Sequence, residues 1–174
     1  MKIYPYEVLG HLVEATHRLL AQEELVYSNP GEQNLSIELA AHLKPLFREW
    51  HVHGEYDKRE QDEKWLAYAD EDEVLVATKI RPDIIVHHVG KRENLLVIEM
   101  KRDVNKARAN DVRKLKGLTR QDGDYGYELG VHLVVDIPTS RVTLCDVYRD
   151  GAINAELTAW IRQRLPAQSA PPVG

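Results

Sequence analysis

The sequence predicts an α/β protein with a central mixed sheet flanked by helices. Three observations carry that expectation. Apolar residues recur at helical spacing through the first quarter of the chain. Short runs rich in Ile, Val and Leu then take over at 80–88, 95–101 and 129–136. A second helical pattern lies between the last two runs, the alternation expected of a layered α/β domain.

The elements follow in order. Val8, Leu12, Ala15, Leu19 and Leu20 share one side of a helix over 6–24, leaving Glu14, His17 and Arg18 for the other. Asn29-Pro30-Gly31 breaks it. Leu35, Leu39, Leu43 and Leu46 stripe a second helix over 36–47, with Pro45 near its end as a kink or stop. Residues 50–57 alternate weakly and predict a strand. The acidic stretch 58–72 reads as a loop or hairpin excursion anchored by Trp65 and Tyr68, and 74–77 as a short strand. Gly90 to Asn94 turns between the first two strong strands. A helix over 104–118 places Val104, Ala107, Val112, Leu115 and Leu118 inward. The run 129–136 is nearly all apolar, so it predicts a strand buried on both faces. A strand over 141–148 and a short helix over 155–165 complete the chain. The implied organisation is an N-terminal helical extension (1–30), a single domain (31–165) and a tail without fixed structure (166–174).

Composition excludes several classes. With 174 residues, 43% of them hydrophobic, the chain has the length of one domain and enough apolar material for a core. Apolar runs stop at four residues, as in Leu95–Ile98, so no membrane-spanning helix is expected. Glu7, His11 and Glu14 interrupt the N-terminal region, so no secretory signal is expected either. The single cysteine, Cys145, cannot form an internal disulfide and reads as a small core residue. A reducing, cytoplasmic setting follows as the expectation.

The net charge of −5 is unevenly spread. Between Lys101 and Arg120 eight basic residues face only Asp103 and Asp111, a local charge of +6, while Asp70, Glu71, Asp72 and Glu73 are consecutive. A cationic patch on an acidic body can hold a polyanion. Arg102, Lys106, Arg113, Lys114 and Lys116 are the residues expected to contact nucleic acid.

Two strong strands carry acids where a buried sheet should not have them. Pro82-Asp83 precedes Ile84-Ile85-Val86, and Leu95-Leu96-Val97-Ile98 runs into Glu99-Met100-Lys101. Glu99 and Lys101 share a strand face, because side chains alternate. The short turn between the strands makes them hairpin partners, and a bent or splayed pair brings Asp83 near Glu99. Paired carboxylates repel, which raises one of their pKa values. A divalent cation relieves that repulsion, and Mg2+ accepts one or two carboxylates together with phosphate oxygens. A lysine beside it offers positive charge where a phosphoryl transition state gains negative charge.

Pro82-Asp83 followed by Glu99-Met100-Lys101 at a strand end resembles the PD-(D/E)XK nuclease superfamily, also called restriction-endonuclease-like. The resemblance covers roughly residues 34–136. It implies a core of order α-β-β-β-α-β around a mixed sheet and an Mg2+- or Mn2+-dependent endonuclease acting on DNA, with RNA as the alternative substrate. Asp83 and Glu99 would then hold the ion, with the Met100 carbonyl as a further ligand. Lys101 would act on the attacking water, and Glu38 of the first core helix would add a carboxylate. Lys114 could also stand for the basic or polar residue that such proteins carry on the following helix. A homodimer is a further implication, since cutting two strands needs two sites. A scaffold that keeps the fold without cutting is the alternative.

Other groups read more plainly. Glu55 and Asp57 could approach the same site from the neighbouring strand. His51 and His53 share a strand face and His87-His88 end another, but neither spacing is that of a zinc site. No Gly-rich phosphate loop of the G-x-x-x-x-G-K type is present.

Overall fold

The computed structural model describes residues 4–54, 64–69 and 75–167. Five helices occur among them: α1 (Pro5–Leu20), α2 (Glu23–Ser28), α3 (Glu32–Leu43), α4 (Ala109–Thr119) and α5 (Ala155–Arg162). The strands are β1 (His51–Gly54), β2 (Lys64–Ala69), β3 (Leu75–Ile80), β4 (Ile84–His88), β5 (Glu93–Arg102), β6 (Leu129–Asp136), β7 (Arg141–Arg149) and β8 (Ala152–Ile153). Six of them form one sheet in the order β1-β4-β5-β6-β7-β8, and β2 and β3 pair separately. Only β5 and β6 run parallel; every other pairing is antiparallel. The protein is therefore a mixed α/β fold with a six-stranded, mostly antiparallel sheet. No helix among the described residues is long and apolar enough to cross a membrane.

Alternation along β5 sorts the two faces of the sheet. Leu96, Ile98 and Met100 join Leu9, Leu12, Leu35, Leu39 and Ile161 in the larger core under α1, α3 and α5. Val97 faces the other way, with Ile85, Leu115, Leu118, Tyr127 and Tyr148 beneath α4. Gly130 on β6 lets α4 lie this close. A Cβ there would meet Thr119 Cγ2 at 2.7 Å and Leu115 Cδ2 at 3.2 Å.

Several boundaries differ from the sequence reading. The first helix stops at Leu20, and α2 ends on Asn29 in the left-handed conformation (φ 44°). Leu9, Leu12 and Leu19 of α1 belong to the main core. The second predicted helix begins four residues earlier, at Glu32, and stops before Pro45. The run 80–88 is two pieces, because Pro82 lies between β3 and β4. The helix predicted over 104–118 starts at Ala109, and Val104 and Ala107, expected inward, are exposed. Residues 55–57, with Glu55 and Asp57, and residues 168–174 of the tail lie outside the described residues, as do the side chains of Trp65 and Tyr68.

Candidate active site

The β4–β5 hairpin builds the floor of the site. Its register pairs Ile84 with Ile98 and Ile85 with Val97. One step further along the same register sets Asp83 opposite Glu99, just past the last ladder pair. Here the two chains are tied by a side chain: the Met100 N–H donates to Asp83 Oδ2 at 2.7 Å. In an extended strand a residue's N–H and C=O leave on the same side. The Met100 carbonyl therefore also leaves toward Asp83, while its side chain is buried in the main core.

On the α4 face, the apolar layer gives way to charge at the C-terminal end of β5. Glu99 is 1% exposed, and its Oε2 accepts from Lys114 Nζ at 2.6 Å. Its Oε1 is buried with no hydrogen-bond partner. Lys101 Nζ lies 3.5 Å from both Glu32 Oε2 and Asp111 Oδ2. Asp111 also stands 3.6 Å from Lys114 Nζ and 3.6 Å from His132 Nε2. The last separation is too long for a hydrogen bond, and both atoms are buried without one. His132 lies beside Glu99 in the parallel β5–β6 register.

The charges do not balance. Among these six groups, Glu32, Asp83, Glu99 and Asp111 stand against Lys101 and Lys114, an excess of two negative charges when all are ionised. Burial, and then the facing Asp83 carboxylate, push Glu99 from its ordinary 4.5 to about 8. Lys114 pulls against this without overcoming it. Burial also works against the Lys114 cation, but Glu99, Asp111 and Asp83 outweigh it and raise its pKa. Lys101 is raised in the same way: burial opposes its charge, and Asp111 and Glu32 prevail. Asp111 is lowered, its burial outweighed by His132, Lys101 and Lys114. The pair Glu99–Lys114 is thus asymmetric. The deeper group faces further carboxylates and holds a proton; the lysine faces three acids and keeps its charge.

Among the described residues no three His, Cys, Asp or Glu side chains converge on one point, but the paired carboxylates have the chemistry that a hard divalent cation accepts. Two adjacent carboxylates, an orphaned buried acceptor on one of them and a net deficit of positive charge are what such an ion requires. Asp83, Glu99 and the Met100 carbonyl are the groups that could hold it.

The structure brings Asp83, Glu99, Lys101 and Lys114 together. Lys114, offered both as a phosphate contact and as the basic residue of the following helix, turns inward onto Glu99. Glu38 is exposed on α3, whereas Glu32 reaches Lys101 and accepts from the Arg102 N–H at 3.2 Å and Asn105 Nδ2 at 2.9 Å. Six helical residues separate these two acids, about 9 Å along the axis. Arg102 donates to Asn29 Oδ1 at 2.6 Å, and Lys106 pairs with Asp103 at 3.3 Å. Arg113 and Lys116 are exposed on α4.

Glu32, Asp111 and His132 escaped the sequence reading. Asp111 had a signal, since it stands four and seven residues before the inward Leu115 and Leu118. His132 is the one polar residue between Leu129 and Val135, which marks it in retrospect.

Fold and site together define a mixed α/β protein with a buried acid–lysine cluster at the end of its central strand. No protein-family profile and no curated protein matches the chain. A solved structure described as "Crystal structure of SSO0001" aligns with 90% of this chain and 73% of its own, at 16% identity and a TM-score of 0.40. That likeness carries no argument about fold or function.

Proposed function

We propose that the protein is a metal-dependent nuclease that hydrolyses phosphodiester bonds in DNA as an endonuclease, within a restriction-endonuclease-like fold. The observation that carries the reading is the meeting of Asp83, Glu99 and Lys101 from two strands, with carboxylates outnumbering lysines around them. The order α3, β1, β4, β5, α4, β6, interrupted by β2 and β3, supports the same reading, as does the parallel β5–β6 pair.

In this reading Asp83, Glu99 and the Met100 carbonyl hold Mg2+ or Mn2+. The bound ion supplies a concentrated positive charge to the phosphoryl oxygens. Lys101 orients the attacking water and faces the charge that develops on the phosphorus. Asp111 and Glu32 hold the Lys101 ammonium in place and keep it protonated. Arg113 and Lys116 contact the DNA backbone, which positions the substrate without reading its sequence. Two copies of the chain would cut both strands of a duplex, in a reducing, cytoplasmic setting.

The test is plasmid cleavage with added Mg2+ or Mn2+, comparing wild type with Lys101→Ala. Removal of Lys101 should slow nicking by about 100-fold or more while leaving the fold intact. Equal nicking by the variant overturns the role of Lys101, and a wild type that never nicks overturns the nuclease. One observation favours a second reading, a scaffold of the same fold that binds nucleic acid without cutting. Lys114 already occupies Glu99 Oε2 at 2.6 Å, and in a scaffold it would stay there. Such a protein would bind DNA with Mg2+ present and leave it whole.

A further inference from the structure

A second group of metal-ligating side chains stands apart from the acid–lysine cluster. In the antiparallel β1–β4 register, His51 pairs with His87 and His53 with Ile85. Paired residues share a face, as do residues two apart, so His51, His53 and His87 project from the same side of this strand pair. His53 Nδ1 and His87 Nε2 face each other at 2.9 Å. Their ring centroids are 5.1 Å apart, and the His51 ring is 6.2 Å from His53 and 6.4 Å from His87. His53 and His87 are half-buried, and His51 is exposed.

We propose that His53 and His87 form a binding site for a borderline divalent transition-metal ion of the Zn2+ type, with His51 as a third ligand that swings in.

The geometry is close to what such an ion needs. Two imidazole nitrogens on a tetrahedral ion stand about 3.3 Å apart, and their ring centroids about 5 Å apart. The His53–His87 pair already has that centroid spacing, and its nitrogens need to open by about 0.4 Å. Each neutral ring carries one proton. The 2.9 Å contact is a hydrogen bond in which one ring nitrogen donates and the other accepts; moving that proton to the far nitrogen of its ring lets both facing nitrogens present lone pairs, so the ion enters without net proton release. His51 needs to close by roughly 1 Å to complete a third contact. Its Nδ1 already accepts from the Val89 N–H at 3.3 Å, which leaves Nε2 as its ligating atom.

Two ligands are preformed, and not three: among the described residues no three such side chains converge on one point as they stand. His88 is held out of the group. Its Nε2 contacts the Glu49 carbonyl oxygen at 2.7 Å, its Nδ1 contacts Glu93, and its ring stacks on Trp50 at 4.0 Å. Imidazole ligands favour Zn2+, Cu2+ and Ni2+ over Mg2+, which prefers carboxylate and water. The two sites therefore select different ions. An ion bound here would tie the edge strand β1 to β4.

The test is calorimetric titration of chelator-treated full-length protein with Zn2+ in excess Mg2+, which occupies any hard-cation site. Cu2+ electron paramagnetic resonance serves as a second readout. One Zn2+ per chain is expected, with three nitrogen ligands in the Cu2+ spectrum, falling to two in His51→Gln. His53→Gln and His87→Gln should each weaken Zn2+ binding at least tenfold, His51→Gln should weaken it less, and His42→Gln should leave it unchanged. Circular dichroism verifies that each variant folds, and single-histidine variants of different size (Ala, Asn) replace any that does not. No Zn2+ binding by the wild type, or binding that survives loss of both His53 and His87, overturns the proposal.

Discussion

Glu99→Gln should stabilise the metal-free protein, and increasingly so as pH rises. Glu99 is buried, and its pKa moves from 4.5 in the unfolded chain to about 8 in the folded one. Between those values the unfolded state has lost this proton and the folded state retains it. Stability therefore falls as pH rises through the interval and levels off above pH 8. The glutamine is a near-isosteric copy of the protonated acid, so the variant lacks this slope. From pH 5 to pH 9 the stability difference should grow by about 4 kcal/mol in favour of the variant. With a urea m-value of about 2 kcal/mol/M, the unfolding midpoints should separate by about 2 M over that range. The assay is urea denaturation with chelator at several pH values, read by circular dichroism. If the Lys114 ion pair instead dominates, the variant will be the weaker protein at every pH. That outcome, or a difference that does not change with pH, refutes the assignment of Glu99 as a group buried against its charge.

Three further outcomes are expected. Gly130→Ala should destabilise the protein by about 1–3 kcal/mol, because its Cβ falls 2.7 Å from Thr119 Cγ2 under α4; thermal or urea unfolding measures this. Glu93→Gln should return the His88 pKa toward its ordinary value, since the Glu93 hydrogen bond is the largest cause holding it up. In the wild type that contact stabilises the fold below the ordinary histidine pKa and is lost as pH rises through the raised one; NMR titration of the ring protons follows it. Replacing Arg113 and Lys116 with Gln should weaken DNA binding and flatten its salt dependence by about two phosphate contacts, measured by fluorescence anisotropy at several salt concentrations.

Asp83 and Glu99 were legible in the sequence because their meeting is a local event. A hairpin of strong strands sets its own register, and that register carries residue 83 to residue 99. The strand 129–136 was legible because a nearly unbroken run of β-branched and apolar residues admits few other structures. Local pattern failed where a boundary set the phase. Extending α4 back to Val104 placed Val104 and Ala107 inward, and both are exposed.

Sequence alone thus determined the mixed α/β character, the main strands and the acid pair at the hairpin's end, all of which follow from short-range periodicity and turn chemistry. Only the tertiary structure decided that Glu32 and not Glu38 meets Lys101, that Lys114 faces inward, that His132 lies behind Asp111, and that His53 faces His87. Each of these contacts joins separate elements through side chains. No spacing along the chain encodes such a contact, because it depends on how the helices and strands dock around the sheet.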